Sequence, residues 1–361
     1  MTTEGEHRDA AVPESLVISI DAMGGDHGPA VVVPALARAV RDGLSARFLL
    51  HGDDQAIGAA LARLPEIAPQ CEIRSAERVI GGDEKPAQAM RRGRGSSMWN
   101  AVEALRAGEA AVCVSAGNTG ALMAISKLIL RMTAGMERPA IVASWPTLRG
   151  DTAVLDVGAN IACDAQRLVE FAIMGAAFHH AVHGTARPTV GLLNVGSEEE
   201  KGHEEVREAS RMLREMSLDL EYLGFVEGDD IAKGTVDVVV TDGFTGNIAL
   251  KTGEGVGRFV RAEMRRAFAS GPFARAGALL AAAALRRLGE RFDPSRINGG
   301  PFLGLNGIVV KSHGGADARG FATAIRLAAD LAGSDFVAQI DRNLTKLTTA
   351  QRERAGEVGE S

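Results

Sequence analysis

Residues 17–28 read VISIDAMGGDHG: an apolar run ends at Asp21 and passes into a polar loop rich in glycine. Five more segments repeat this arrangement, a short apolar run followed by a loop that combines glycine with Asp, Asn, Ser or His. Their loops span residues 115–120, 156–160, 194–198, 241–247 and 311–317. Continuous apolar runs are typical of buried parallel strands, whose connections place helices on both faces of the sheet. The chain is therefore predicted to have an α/β fold.

The six loops also predict where a ligand binds. In sheets of this kind ligands bind just beyond the carboxyl ends of the strands, where the connecting loops converge. We expect all six loops on the same edge of the sheet, where they would form an active site. Glycine loops at helix N-termini bind anions, because unpaired backbone N–H groups and the helix dipole both favour negative charge. The alternative is that the glycines only make tight turns between strands and helices.

Length and composition narrow the class of protein. The chain has 361 residues, of which 46% are apolar, enough for one large α/β domain or two lobes. A net charge of −6 and an aromatic content of 4% argue against nucleic-acid binding. Three cysteines in no CxxC pair favour a reduced, cytoplasmic compartment. We expect one folded domain over residues 15–348, with disordered polar tails at 1–14 and 349–361.

Apolar spacing predicts most of the regular structure. Residues 138–143 and 152–155 are expected to pair as a hairpin, and residues 81–98 to form a charged loop with a short helix. Helices are predicted over residues 30–41, 99–107, 120–132, 165–182 and 202–216. Further strands are predicted over residues 47–50, 110–114, 189–194, 221–225 and 236–240.

The segment 246–292 differs from the rest of the chain. It is predicted to be a helical hairpin broken at residues 270–272, and between Arg258 and Arg291 it holds eight arginines against two glutamates, a local balance of +6. It either packs in a dimer interface with solvated arginines or docks on something acidic, an anionic lipid or an acidic carrier protein. Both roles are compatible. The expected contact residues are Arg258, Arg261, Arg265, Arg266, Phe273, Leu279 and Leu280.

Several kinds of chemistry have no support in the sequence. No P-loop motif is present, so ATP hydrolysis is not indicated, and no GxGxxG follows the first strand, which weakens a conventional NAD site. No GxSxG elbow occurs, and no cysteine lies in a loop beside a candidate base. Direct attack by a bound nucleophile therefore fits better than covalent catalysis. We predict no cofactor.

Two roles are open for each lysine and histidine of the loops. Lys85, Lys201 and Lys311 lie in or beside the loops and either pair with phosphate or are ordinary surface lysines. His27 and His313 fall in glycine loops and either donate to an anion or only bond the loop backbone. The histidines at 179, 180 and 183 stand where a helix should end, and the aspartates of the loops are scattered without ligand spacing. We predict no metal site.

Seven motifs together resemble the PlsX family, the phosphate acyltransferases of bacterial phospholipid synthesis. They are VISIDAMGGDHGP, EKPAQAMRR, VSAGNTGALM, DVGAN, LLNVGSEEEKG, VTDGFTGN and GLNGIVVKSHG, and the similarity runs from about Val17 to Leu344. The resemblance implies a three-layer α/β/α sandwich with a Rossmann-like, mostly parallel sheet and a projecting helical hairpin. It also implies relation to phosphotransacetylases and isocitrate-type dehydrogenases.

The resemblance further implies the reaction and its partners. A long-chain fatty acyl group passes from acyl–acyl carrier protein to inorganic phosphate, which gives acyl phosphate and free carrier protein. The enzyme would be a homodimer in the cytoplasm, peripherally associated with the anionic inner face of the membrane. Its product would go to a membrane glycerol-3-phosphate acyltransferase. No nucleic acid is expected to bind.

Roles follow for the loop residues, since phosphate is already an oxyanion and needs placement more than deprotonation. The catalytic candidates are Asn118, Lys311, His313 and Asp242, with an amide of residues 243–247 as a further donor to the oxyanion. The candidates for substrate or phosphate binding are Asp21, Gly24, Gly25, Asp26, His27, Lys85, Ser115, Gly117, Thr119, Gly120, Asp156, Asn160, Asn194, Gly196, Lys201, Gly243, Gly246 and Asn247.

Three other functions compete with this interpretation. A phosphotransacetylase-like acyltransferase that uses acyl-coenzyme A shares the phosphate chemistry, but it gives no reason for a basic hairpin with an apolar tip. A dehydrogenase of the isocitrate type needs a recognisable carboxylate cluster for a divalent metal. A membrane-surface scaffold without catalysis would leave the six polar loops unexplained.

Overall fold

The computed structural model describes residues 16–133, 136–291 and 293–359. The predicted tail at residues 1–14 lies outside these ranges. Strands are β1 Val17–Asp21, β2 Arg47–Gly52, β3 Cys71–Ser75, β4 Val112–Ser115, β5 Ala140–Thr147, β6 Gly150–Leu155, β7 Thr189–Leu193, β8 Glu221–Val226, β9 Val238–Val240, β10 Gly300–Leu303 and β11 Ile308–Lys311. Helices are α1 Pro29–Arg41, α2 Asp54–Leu61, α3 Pro86–Arg92, α4 Ser97–Arg106, α5 Thr119–Leu130, α6 Ala165–His183, α7 Glu204–Glu215, α8 Gly228–Lys233, α9 Gly243–Ala269, α10 Pro272–Leu280, α11 Ala282–Arg291, α12 Ala318–Ala332 and α13 Phe336–Gly359.

The eleven strands of the described chain form one sheet in the order β3-β2-β1-β4-β11-β10-β5-β6-β9-β7-β8. The first half-sheet, β3-β2-β1-β4-β11, is parallel throughout. The second half-sheet, β6-β9-β7-β8, is also parallel. Between them β10 is antiparallel to both β11 and β5, and β5 is antiparallel to β6. Three reversals leave the second half-sheet running opposite to the first.

Helices cover both faces of the sheet, as the α/β prediction required. In β4, Val112 and Val114 pack in the core shared with α1 and α12, whereas Cys113 packs on the other face with α4 and α5. Alternation of this kind follows from the two-residue period of a strand. Because strands such as β4 are buried on both faces, their sequence is a continuous apolar run and not an alternating one.

The prediction that all six loops share one edge of the sheet is wrong. The loops after β1, β4 and β11 leave the first half-sheet at one edge, and the loops after β6, β7 and β9 leave the second half-sheet at the opposite edge. The reason is the reversal in strand direction. An apolar run shows that a strand is buried, but the direction of the strand depends on hydrogen bonds to strands elsewhere in the chain.

Most predicted elements agree with the structure, including the hairpin of β5 with β6. Two strands were not predicted: β3, which is only partly buried, and β10, a short antiparallel strand after the helical hairpin. At the C-terminus, α13 continues to Gly359, through most of the region predicted to be a disordered tail. Residues 349–359 contain Ala, Gln, Arg and Glu, which are good helix formers and prolong a helix that has already begun.

The helical hairpin consists of α9, α10 and α11, and the chain breaks between α9 and α10 at Ser270 and Gly271, where the sequence predicts it. In α9, a helix of 27 residues, only Gly243 and Gly246 are buried. Leu250 packs partly buried against the core and Gly253 lies against Trp145, whereas from Gly257 to Ala269 most side chains are exposed. No helix within the described ranges combines the length and the hydropathy that a membrane crossing needs.

Candidate active site

The first loop cluster comprises residues 21–28, 115–120 and 311–317, at the carboxyl ends of β1, β4 and β11. Its centre is Asp21, which is 1% exposed and lies in register with Ser115 on the neighbouring strand. The Ser115 hydroxyl donates to Asp21 Oδ2 at 2.7 Å and accepts from the Gly117 amide at 3.0 Å. Burial raises the pKa of the Asp21 carboxyl, and the bond from Ser115 opposes this rise in part.

The 311–317 loop is bonded to the other two loops. The Ser312 amide donates to the Ser115 carbonyl at 2.9 Å, and the Asp26 amide donates to the Gly314 carbonyl at 2.9 Å. Lys311 donates from Nζ to the Ala116 carbonyl at 3.3 Å and to the Ser312 carbonyl. Burial lowers the pKa of Lys311 to about 8, although the negative charges of Asp21 and Asp26 act in the opposite direction. The first loop cluster therefore holds a partly buried ammonium group bonded to backbone carbonyls.

Asn118 occupies the N-cap of α5 and joins this helix to the charged segment before α3. Its Oδ1 accepts from the Ala121 amide at 2.9 Å, while Nδ2 donates to the carbonyls of Gly82 at 2.6 Å and Glu84 at 3.3 Å. The side chain is thus occupied by backbone partners. Its geometry is that of a group that shapes the N-terminus of α5, and the predicted catalytic role has to work through that position.

Exposed polar side chains lie on the loops of this cluster and at the start of α3. Asp26, His27, Lys85 and Thr119 are all exposed, as is His313. The His313 ring accepts from the Gly315 amide through Nδ1 at 3.2 Å, and its own backbone amide donates to Asn298 Oδ1 at 2.9 Å. Asn298 was not predicted as a site residue, because it lies in an irregular segment that gives no motif.

The second loop cluster comprises residues 156–164, 194–202 and 241–247, at the carboxyl ends of β6, β7 and β9. Asp156 is fully buried. Its carboxylate accepts from the backbone amides of Ile141 at 3.0 Å, Gly158 at 3.2 Å, Ala159 at 3.0 Å and Asn160 at 2.5 Å. Asn160 Nδ2 donates to the same carboxylate at 2.9 Å. Burial raises the pKa of Asp156, and these bonds oppose the rise.

Asp156 and Asn160 therefore shape the loop and have little capacity left for a substrate. The Asn160 carbonyl accepts from the Gly243 amide at 2.6 Å, which docks the start of α9 against the loop. A Cβ at Gly246 would collide with the Asp156 carbonyl oxygen, so only glycine fits this contact. Asp242 is the N-cap of α9 and accepts from the Thr245 amide at 2.9 Å and from its hydroxyl at 2.8 Å.

Most hydrogen bonds of the 194–202 loop also join residues within the loop. Asn194 donates to the Lys201 carbonyl at 3.0 Å and accepts from the Val195 amide at 2.9 Å. Lys201 is exposed and pairs with Glu198 at 2.9 Å. Gly196 is buried, while Asn247 is exposed beside Gly158 on the adjoining loop.

Large apolar side chains on the second loop cluster are exposed to solvent, and sequence reasoning missed them. Ile161 is 75% exposed, Val195 77% and Phe244 59%, one on each of the three loops. Their signal in the sequence is a single apolar residue inside a polar glycine loop.

In the same cluster, burial raises the pKa of the Cys163 thiol to about 12, and its Sγ donates to the Asn160 carbonyl at 3.8 Å. This thiol is therefore poorly suited to be a nucleophile.

The histidines of α6 lie away from both loop clusters. The rings of His179 and His183 are 4.5 Å apart, and the His180 Nδ1 lies 2.8 Å from the Thr185 carbonyl oxygen, beside the Gly184 cap. Across the described ranges, no group of three or more His, Cys, Asp or Glu side chains is arranged to hold a metal ion.

Solved structures define the class of this fold. The chain is similar to a phosphotransacetylase from Streptococcus pyogenes, with a TM-score of 0.59, 20% identity and coverage of 88% of this chain and 94% of the other. A branched-chain phosphotransacylase from Enterococcus faecalis gives a TM-score of 0.56 at 13% identity, with coverage of 88% and 99%. At these identities the similarity shows the fold alone, an α/β fold that the chain shares with these two proteins.

Sequence relatives define the family. The family model described as "Fatty acid synthesis protein" matches residues 16–339. A phosphate acyltransferase from Caulobacter vibrioides is 68% identical over 345 residues, 95% of this chain and 96% of the relative. One from Phenylobacterium zucineum is 66% identical, with coverage of 93% and 96%. The chain belongs to the PlsX family of phosphate acyltransferases and is an acyltransferase, which confirms the resemblance in its motifs.

Proposed function

We propose that the protein transfers a long-chain fatty acyl group from acyl–acyl carrier protein to inorganic phosphate and so supplies acyl phosphate for phosphatidic acid synthesis. The observation that carries this proposal is the similarity to phosphate acyltransferases over 95% of the chain. The choice of an acidic carrier protein as donor is supported by the exposed, arginine-rich helical hairpin.

Phosphate binds, on this proposal, at the first loop cluster. The N-terminus of α5 follows the cap residue Asn118, and exposed Thr119 begins this helix, while exposed His27 belongs to the loop after β1 and exposed Lys85 to the start of α3. A helix N-terminus with nearby cationic side chains favours an oxyanion. In the reaction a phosphate oxygen attacks the thioester carbonyl, a C–O bond forms and the C–S bond breaks. The proton of hydrogen phosphate passes to the departing thiolate.

The tetrahedral oxyanion needs a donor close to the phosphate. Lys311 and His313 belong to the same loop cluster as the N-terminus of α5 and are the candidates within one chain. The amides of residues 243–247 lie in the second loop cluster, at the opposite edge of the sheet. The amides of Gly243, Thr245 and Gly246 already donate to Asn160 and Asp242, and the remaining amides would have to reach the phosphate from another copy of the chain.

A homodimer would join the two clusters into one site. In this arrangement the first loop cluster of one protomer faces the second loop cluster of its partner, which brings Lys201, Asn247 and the apolar Ile161, Val195 and Phe244 to the acyl group. Two-fold symmetry would make two such sites for each dimer. The exposed apolar side chains along α9 support a contact of this kind.

Mixed dimers test the shared site. Asn118→Ala damages the first loop cluster and Lys201→Ala the second, so each variant alone should be nearly inactive. When the two are unfolded and refolded together, half of the dimers are mixed and carry one intact site of two, so about a quarter of wild-type turnover should return. If the refolded mixture of dimers recovered no turnover, the shared site would be contradicted.

The helical hairpin is proposed to contact both acidic partners. Arg258, Arg261, Arg265 and Arg266 are exposed on α9, and Leu279 and Leu280 are exposed on α10 beside Phe273, which is 92% exposed. Cationic side chains with adjacent apolar groups suit an anionic membrane surface. The protein would then lie on the inner face of the membrane and pass acyl phosphate to a membrane glycerol-3-phosphate acyltransferase.

One incubation tests the reaction. Purified protein is mixed with palmitoyl–acyl carrier protein, with and without inorganic phosphate, and free carrier thiol and acyl phosphate are followed. Release of both that depends on phosphate is the expected result. Activity with acyl-coenzyme A alone would favour a phosphotransacetylase-like donor, and inactivity with both donors would overturn the proposal.

A further inference from the structure

We propose that Asp21 is a positioning residue: through the Ser115 hydroxyl it sets the orientation of the Gly117 amide and the start of α5, where phosphate binds. This inference rests on the proposed function. It changes the role that sequence analysis assigned to Asp21, because the carboxylate does not touch the substrate.

Asp21 is buried within the first loop cluster. Asp21 is 1% exposed, and Gly24 closes over it: a Cβ at Gly24 would lie 2.6 Å from Asp21 Oδ2 and 2.7 Å from the Gly117 nitrogen. These distances leave no room for a phosphate between the loops. Asp21 therefore acts through its neighbours.

The hydrogen bonds of the Ser115 hydroxyl have a defined direction. A serine hydroxyl has one proton, and Ser115 gives it to Asp21 Oδ2, so that its lone pairs accept from the Gly117 amide. The Gly117 amide can only donate, so the hydroxyl oxygen must accept from it and the hydroxyl proton goes to Oδ2. The Gly117 amide is turned inward, towards Ser115. The chain then enters Asn118, which caps α5 by accepting from the Ala121 amide.

Ser115 lies where all three loops of the first loop cluster meet. Ser115 also accepts through its carbonyl from the Ser312 amide at 2.9 Å, and Lys311 bonds the next carbonyl, that of Ala116. A change at Ser115 or Asp21 is therefore transmitted to the lysine and to the N-terminus of α5. A buried polar group usually costs stability, which gives a reason to look for a functional role of the Asp21 carboxyl.

The experiment uses Ser115→Ala, Asp21→Asn and the double variant in the full-length protein. Asp21→Asn keeps the shape of the carboxylate but adds a competing donor. Each single variant is expected to raise the KM for phosphate about tenfold, the effect of roughly one lost hydrogen bond to a charged group, with little change in the KM for the acyl donor. Because the two residues act through one bond, the double variant should be no worse than the worse single variant.

Ser126→Ala is the matched control. Ser126 is also fully buried, on α5, and its hydroxyl has no hydrogen-bond partner among the described residues. This variant should leave both KM values unchanged. An unchanged phosphate KM in folded Ser115→Ala, an equal loss in both substrates, or additive effects in the double variant would each overturn the inference.

Phosphate binding can be measured without turnover. Millimolar phosphate should raise the melting temperature of the wild type and of Ser126→Ala, and should raise that of Ser115→Ala much less. If Asp21→Asn does not fold, the phosphate KM and the melting temperature of Ser115→Ala alone test the inference. A wild type that is stabilised by phosphate but forms no acyl phosphate would contradict the proposed function and still allow this comparison.

Discussion

The two loop clusters begin from the same sequence pattern and have become different kinds of structure. In the first loop cluster the buried Asp21 bonds to a serine hydroxyl, and cationic and polar side chains remain around an open helix N-terminus. In the second, Asp156 is saturated by four backbone amides and a side-chain amide, while Ile161, Val195 and Phe244 are exposed at the rim. One arrangement suits a phosphate and the other an apolar group. A glycine loop with an aspartate does not by itself indicate which arrangement will form.

The largest expected effect is on the stability of the second loop cluster. Asp156→Ala leaves five donors without their acceptor, two of them buried and three partly buried, and we expect the free energy of unfolding to fall by about 3 kcal/mol or more. Asp242→Ala, which removes a helix N-cap in the same cluster, should cost only about 1 kcal/mol. Urea denaturation of both variants measures the difference. Equal losses would show that the saturated carboxylate is no more important to the fold than an ordinary cap.

The next effect concerns catalysis at the first loop cluster. Asn118→Ala and His313→Ala should each lower kcat/KM by about 10²–10³, the typical cost of a lost donor at a developing oxyanion or of a displaced phosphate site. Asn306→Ala is the control, since Asn306 is an exposed amide that bonds the Met132 carbonyl away from the loops. Near wild-type turnover in both site variants would remove the catalytic assignment from this cluster.

A smaller effect is expected on the helical hairpin, which extends from the second loop cluster through α9. Reversal of Arg265 and Arg266 to glutamate should weaken binding to carrier protein and to anionic vesicles, most strongly at low salt. Reversal of Arg41 and Arg63, two exposed arginines of the first half of the chain, should have little effect. Vesicle sedimentation and carrier binding over a salt series would measure this. Unchanged binding by the hairpin variant would contradict its docking role.

The smallest effect is a dependence on pH in the first loop cluster. Burial lowers the pKa of Lys311 to about 8, so its ammonium is present below this pH and is lost as the pH rises through it. If the ammonium helps to hold phosphate, the KM for phosphate should rise several-fold between about pH 7 and pH 9. Lys311→Arg keeps its charge over this range, so its KM should stay level. A parallel rise in the arginine variant would assign the pH dependence to another group.

Local pattern was sufficient to predict most strands and helices, because burial on two faces produces apolar runs and amphipathic helices produce their own period. The hydrogen-bond partners of the site residues could not be predicted from the local pattern. Asn118 and Asp242 were expected to act in catalysis, and both are helix N-caps with backbone partners. A polar residue before a helix has the same appearance in sequence whether it caps the helix, binds a ligand or does both.

The sequence by itself determined the α/β class, the six glycine loops, the break in the hairpin and, through its motifs, the family. Each of these depends on residues close together in the chain. Tertiary structure decided the rest: Ser115 lies in register with Asp21 and Lys311 because β1, β4 and β11 are neighbours, although they are far apart in sequence. It also decided that β10 and β5 reverse the sheet and send three loops to the opposite edge. Strand direction and pairing are set by hydrogen bonds between distant segments, and no local run of residues encodes them.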